Sequence, residues 1–211
     1  MRWTLIFAVL AANLAFIGLG ITFGYPGILT EPPAEILAAF AATQATTTAW
    51  FLLLAAGAAA LIPAAVLLAR RLPAGSAATL SAHVGVLAGA VQVVGLMRWP
   101  YAVPKLAGAP DAATLFTTLH SYLGVGIGET LGYLLTAAWT ALVLSALPRA
   151  PRWFTLLGAA SAVAIASGVL GPLGVPGVDL ANFIGYLAWS AWTICLAVLA
   201  GRLPARADHI S

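Results

Sequence analysis

Residues 122–140 read YLGVGIGETLGYLLTAAWT. The stretch is apolar and about as long as a bilayer-crossing helix needs, roughly 20 residues. A segment in lipid must satisfy its own backbone groups, and a helix does so. The stretch also holds one charged residue, Glu129. An ionisable group at bilayer depth is costly and marks a functional site by default.

Working outward, residues 181–193 read ANFIGYLAWSAWT. Gly132-Tyr133-Leu134 recurs as Gly185-Tyr186-Leu187, and Ala138-Trp139-Thr140 recurs as Ala191-Trp192-Thr193. The offset is constant at 53 residues (132 to 185, 139 to 192), which sets Asn182 opposite Glu129. Trp139 and Trp192 lie at matched distances from their helix ends, so the two copies run the same way. The repeat is parallel and relates a third helical hairpin to a second.

The whole chain has the same character. It is 62% hydrophobic and 7% charged, with a mean hydropathy of +1.02, whereas a soluble domain carries about 25% charged residues. The composition implies an all-α integral membrane protein in one domain, residues 1–211. Six segments have the length and hydropathy of spans: 3–23, 36–69, 78–97, 114–147, 153–170 and 183–200. The second and fourth exceed one crossing and are expected to tilt or to project into water. Hydrophilic punctuation at Arg70-Arg71-Leu72-Pro73, at 148–152 and at the tail 201–206 groups them into three hairpins. The opening MRWTLIFAVLAANLA reads as an anchor helix rather than a cleaved signal, since removing it would leave five spans and spoil the charge pattern.

That pattern sets the expected orientation. With the N-terminus inside, Arg2, Arg70, Arg71, Arg149, Arg152, Arg202 and Arg206 face the cytoplasm, and only Arg98 and Lys105 lie outside. Basic residues collect on the cytoplasmic side, so both termini are expected there. The net charge of +3 expresses this asymmetry and gives no reason to expect nucleic acid as a partner. Cys195 stands alone, no clustered His/Cys pattern exists, and neither a metal nor a cofactor is expected. His83 and His120 differ in expected depth by about 30 Å, too far for two axial ligands of one haem.

The outer loops carry turn formers. Gly24-Tyr25-Pro26-Gly27 ends the first helix, Pro33 suits the start of the second, and 171–177 (GPLGVPG) cannot be helical throughout. Between the third and fourth segments, Arg98-Trp99-Pro100-Tyr101 suits the bilayer interface. Pro63 inside the second segment predicts a bend.

At 100° per residue, Tyr122, Tyr133, Thr136 and Thr140 share a face with Glu129, and His120 lies opposite. Asn182, Tyr186, Trp189 and Thr193 repeat that stripe on the sixth segment. Gly124, Gly128 and Gly132 form a small-residue ridge suited to close helix packing, within the chain or in a homo-oligomer. Counting 1.5 Å per residue from the inner ends puts Glu129 and Asn182 at roughly 27 Å, Arg98 and Thr48 at about 30 Å and Gln92 at about 21 Å. These side chains can share one layer, with Arg98 as counter-ion to Glu129. Such a pair reads either as a lock between two helices or as part of a site. At roughly 40 Å, His120 is expected at or above the outer interface, where Asp111 and Tyr122 could join it.

On Leu119-His120-Ser121-Tyr122-Leu123-Gly124, Gly128-Glu129-Thr130-Leu131-Gly132-Tyr133 and Asn182-Phe183-Ile184-Gly185-Tyr186 with Trp189 and Trp192, the chain resembles a bacterial family of multi-spanning membrane proteins known only as a domain of unknown function. The resemblance is carried by the second half and extends to the first by hydropathy. It implies a compact helical fold in the bacterial inner membrane and no particular activity.

Three functions remain open on the sequence. The first is a membrane-embedded sensor, carrier or transporter. Its outward-facing polar pocket would take a small apolar or amphipathic molecule, lined by Arg98, Glu129, Asn182, Tyr122, Tyr133, Tyr186, Trp189, Thr48, Gln92 and His120. Transporters of alternating-access type often use inverted repeats, and the parallel repeat weighs against that version. The second is an isomerase or cyclase acting on a lipid or isoprenoid, with Glu129 as general acid or base. The third is a structural or assembly partner whose polar layer only locks the bundle.

Overall fold

The computed structural model describes residues 1–147 and 149–201. Pro148, Arg202 and Arg206, which entered the hairpin and charge readings, lie outside the described residues. The described residues form eight α-helices: α1 (Arg2–Phe23), α2 (Pro33–Ala42), α3 (Gln44–Ala69), α4 (Ser76–Leu96), α5 (Ala112–Leu119), α6 (Gly132–Ala146), α7 (Arg152–Ser167) and α8 (Val178–Gly201). A π-helix, His120–Leu131, joins α5 to α6, and a second short one, Arg98–Ala102, continues α4. Among the described residues, six helical units are long and apolar enough to cross a membrane: Arg2–Phe23, Gln44–Ala69, Ser76–Leu106, Ala112–Ala146, Arg152–Leu173 and Val178–Gly201.

Each span packs on the next in sequence, and α8 returns to α1, so the six close a ring. Asn13 of α1 donates to the Ser190 hydroxyl of α8 (2.9 Å) across the closing seam. Close approach along the ring uses glycine where a side chain would collide: a Cβ at Gly57 would stand 2.9 Å from the Ala8 carbonyl oxygen.

Two apolar clusters fill the ring. The larger gathers Leu5, Leu61, Leu68, Trp139, Phe154, Trp192 and Leu196 at the end carrying both Met1 and Gly201. The smaller, at the opposite end, is aromatic: Trp99 stacks on Phe51 (4.7 Å between centroids) among Phe23, Phe40 and Phe116. Trp99 is fully buried. This corrects its expected interfacial position, because the chain continues helically through 98–106 and turns the indole inward. Tyr101, 69% exposed, keeps the surface position.

The overlong second segment resolves into two helices. Thr43 breaks it, its hydroxyl donating to the Ala39 carbonyl and meeting Thr47. Threonine hydroxyls compete with the helix ladder in this way. From Gln44 the chain starts again and runs through Pro63 to Ala69. The turn signals behave as read: Gly24 ends α1 in the left-handed region (φ 68) and caps the Gly20 carbonyl, and Pro33 opens α2.

The parallel repeat extends beyond the two helices that displayed it. The Trp139 indole covers Gly85 of α4, and the Trp192 indole covers Gly158 of α7. Gly132 faces Gln92, while Gly185 faces Ile165. The first helices of the two hairpins are thus related by 73 residues (85 to 158, 92 to 165) and the second helices by 53. The 20-residue difference (73 − 53) falls in the connection that contains the short π-turn and α5.

Candidate functional site

Between the two apolar clusters lies a polar layer, and the π-helix shapes it. Glycines at 124, 126 and 128 leave the backbone free to take the wider turn. The closest approach is backbone on backbone: a Cβ on Gly95 would meet the Gly128 Cα at 2.5 Å and the Leu123 carbonyl oxygen at 2.8 Å. The ridge of Gly124, Gly128 and Gly132 therefore packs on Arg98, Gly95 and Gln92 of the same chain.

The π-turn also corrects the assignment of faces. An i→i+5 pattern rotates each residue by less than the α-helical 100°, roughly 80°. Nine such steps come to about two full turns, which returns His120 to the side of Glu129. His120 does meet the layer: its Nδ1 is 3.3 Å from Nη2 of Arg98, and its ring stacks on Phe116. Tyr122 moves the other way, 67% exposed, and leaves the stripe on which an α-helix would have placed it.

Arg98 is only 4% exposed. Its Nη1 donates to the Gly95 carbonyl at 2.6 Å, and its Nε has no partner among the described residues. The guanidinium lies against Gly124, where a Cβ would stand 2.7 Å from Cζ. Glu129 is in electrostatic range of Arg98, but the two do not reach ion-pair distance, 4.0 Å. The expected salt bridge is not formed, because Arg98 turns to the Gly95 carbonyl and His120 instead. Glu129 itself is half-buried.

The other hydrogen bonds of the layer bypass Glu129 too. Gln92 donates to Thr136 (3.1 Å), and Asn182 donates to the Ile165 carbonyl (2.7 Å). Asn182 is thereby occupied in tying α8 to the end of α7, just before the chain passes into a 3-10 turn at Gly168. Tyr133 and Tyr186, equivalent in the repeat, meet edge to face at 5.9 Å. Trp189 sits deeper, donating its indole N–H to Thr140 (2.9 Å) beside Trp139. The Thr48 hydroxyl is buried with no described partner. Exposed His83 stands apart on α4.

Two residues of this layer escaped the sequence reading. Tyr25, seen only as part of a turn, feels both Glu129 and Arg98: burial pushes its phenol up to about 12, Glu129 adds to the rise and Arg98 opposes it. Asp179, exposed in the first turn of α8, lies in range of both Glu129 and Tyr133. Neither stands on a polar stripe; only the closed ring brings the ends of α1 and α8 to the π-helix. Among the described residues no group of three or more His, Cys, Asp or Glu is placed to hold a metal ion.

No curated protein matches the chain, and no solved structure matches it. One family model does, over residues 3–198, nearly the whole ring of six spans with its polar layer. The chain therefore belongs to the family described as Domain of unknown function (DUF4386).

Proposed function

We propose that the protein is a membrane-embedded binding protein, serving as a sensor, carrier or transporter, whose polar layer takes the polar end of a small amphipathic molecule. One observation carries this reading: Glu129 stands half-buried in a span, and the hydrogen bonds of its layer pass it by. A carboxyl group that served only to lock helices would be expected to reach its counter-ion, because an uncompensated charge costs several kcal/mol at such depth. Asp179 and Tyr25, at the end opposite the termini, give the layer an edge that a ligand can approach.

The orientation that accords with the arginine distribution puts both termini in the cytoplasm of a bacterial cell and opens the layer to the outside. The test is ligand retention. Native mass spectrometry of the protein extracted in a mild maltoside should show a bound amphiphile, and Glu129→Gln should lower its occupancy severalfold. An empty wild-type protein, together with unchanged affinity of the variant for added membrane-extract amphiphiles, would refute the proposal.

A further inference from the structure

The described arginines other than Arg98 gather at the end of the ring that carries Met1 and Gly201, and two of them line a cavity there. It measures about 320 Å³ and is walled by Met1, Arg2, Trp3, Arg71 and Gly201. That volume lies at the lower end of the range for small-ligand sites, roughly 300–1,000 Å³. The Arg2 guanidinium lies over the Trp3 ring, 4.9 Å from its centroid. Stacked on an indole, a guanidinium still presents its planar edge of N–H donors, which fits two oxygens of a phosphate or carboxylate. Arg71, just past the end of α3, is half-buried.

No described carboxylate balances these two charges. Glu31, Glu35, Asp111 and Asp179 stand at the opposite end, Glu129 stands in the polar layer, and Asp208 lies outside the described residues. The cavity therefore favours an anion, and its position says which kind. Trp3 begins an exposed apolar row on α1 that continues with Phe7, Leu10 and Leu14. In a bilayer such a row faces the acyl chains. From Trp3 to Leu14 is eleven residues (14 − 3), roughly 16 Å along the helix. One leaflet contributes about half of a hydrocarbon core of about 30 Å, so the row is as long as a lipid tail is deep. A free anion uses the cavity alone, whereas a lipid uses the cavity and the row.

We infer that the cavity seats the phosphate of an anionic membrane lipid, with Arg2 and Arg71 on its oxygens, Trp3 at the level of the head group and an acyl chain along Phe7, Leu10 and Leu14. Basic pockets at the ends of membrane helices recognise anionic head groups by this combination of charge and interface. A zwitterionic head brings an ammonium toward two guanidinium groups and is disfavoured. The site lies apart from the layer of Arg98 and Glu129 and does not depend on the binding function proposed for that layer. Inorganic phosphate shares the chemistry of the head group but lacks the chain.

The test is native mass spectrometry of the full-length protein in maltoside, titrated with dioleoylphosphatidylglycerol and, separately, with dioleoylphosphatidylcholine. The anionic lipid should bind about tenfold tighter. Arg2→Gln combined with Arg71→Gln should remove that preference. Arg149→Gln combined with Arg152→Gln, equal in charge and outside the cavity wall, should leave it. Gly201→Leu fills the cavity and keeps every arginine, since a Cβ there meets the Arg2 Cδ at an ordinary 3.6 Å; it too should remove the preference. Equal binding of the two lipids by wild-type protein overturns the inference. So does an equal loss of preference in the two arginine pairs, which marks a diffuse attraction to the basic end. Preference retained in Gly201→Leu overturns it as well. If the Arg2 and Arg71 variant does not purify, Gly201→Leu against wild type decides alone. Millimolar inorganic phosphate separates the sources: phosphatidylglycerol that stays bound assigns the head group to a lipid, and its displacement assigns the cavity to free phosphate and overturns the lipid.

Discussion

At the scale of single residues, the glycines facing one another across α4 and the π-helix make the sharpest stability prediction. A methyl group on Gly95 meets backbone atoms, the Gly128 Cα and the Leu123 carbonyl, and neither can swing aside. Overpacking of that kind costs about 1–3 kcal/mol, so Gly95→Ala should lower the midpoint of thermal unfolding in maltoside by several degrees. Gly126 is a control on the same π-helix: its Cβ would meet only the Ser121 carbonyl at 3.4 Å, and Gly126→Ala should leave the midpoint unchanged or raise it. Equal effects of the two substitutions would refute the packing described. At this scale the sequence was partly readable. Arg98 and Glu129 announce themselves as charges in apolar surroundings, and their shared layer follows from counting residues. Their failure to pair does not follow, because the Gly95 carbonyl and His120 compete for the guanidinium through geometry that hydropathy does not encode.

At the scale of the element, the π-helix is what the sequence concealed. Periodicity arguments assume 100° per residue, and over 120–131 that assumption sends His120 and Tyr122 to the wrong sides. The dense glycines at 124, 126 and 128 were the available signal, and they read equally well as an ordinary packing ridge. The two registers predict different neighbours, which crosslinking can separate. In protein with Cys195 replaced by alanine, Arg98→Cys with His120→Cys should join through a short bis-methanethiosulfonate. Arg98→Cys with Tyr122→Cys should not, since Tyr122 is 67% exposed on the outer surface. The opposite outcome would restore an α-helical register and remove His120 from the site. The break at Thr43 belongs to the same scale: the hydropathy of 36–69 is continuous and gives no sign of it, and at the break the Thr43 hydroxyl bonds back to the Ala39 carbonyl and meets Thr47.

At the scale of the whole molecule, six spans and their order were legible because lipid enforces length and hydropathy on each crossing. Closure of the ring was not, since the α1–α8 seam depends on contacts distant in sequence, such as Asn13 with Ser190. The ring carries Tyr25 and Asp179, each near a helix end, toward the layer that holds Glu129. It also fixes which probe positions share a side of the membrane. Ala74, exposed between α3 and α4, belongs to the end with the termini; Ala107, exposed between α4 and α5, belongs to the end with the aromatic cluster. If the arginine bias governs insertion, a cysteine at Ala107 in the Cys195→Ala background reacts with a membrane-impermeant maleimide in intact spheroplasts. A cysteine at Ala74 then reacts only after the membrane is opened. The reverse labelling would turn the polar layer toward the cytoplasm, and any amphiphile at Glu129 would then have to enter from the inner leaflet. Labelling of both positions from outside would break the six-span topology itself, because the single crossing between the two loops, the span Ser76–Leu106, sets them on opposite faces.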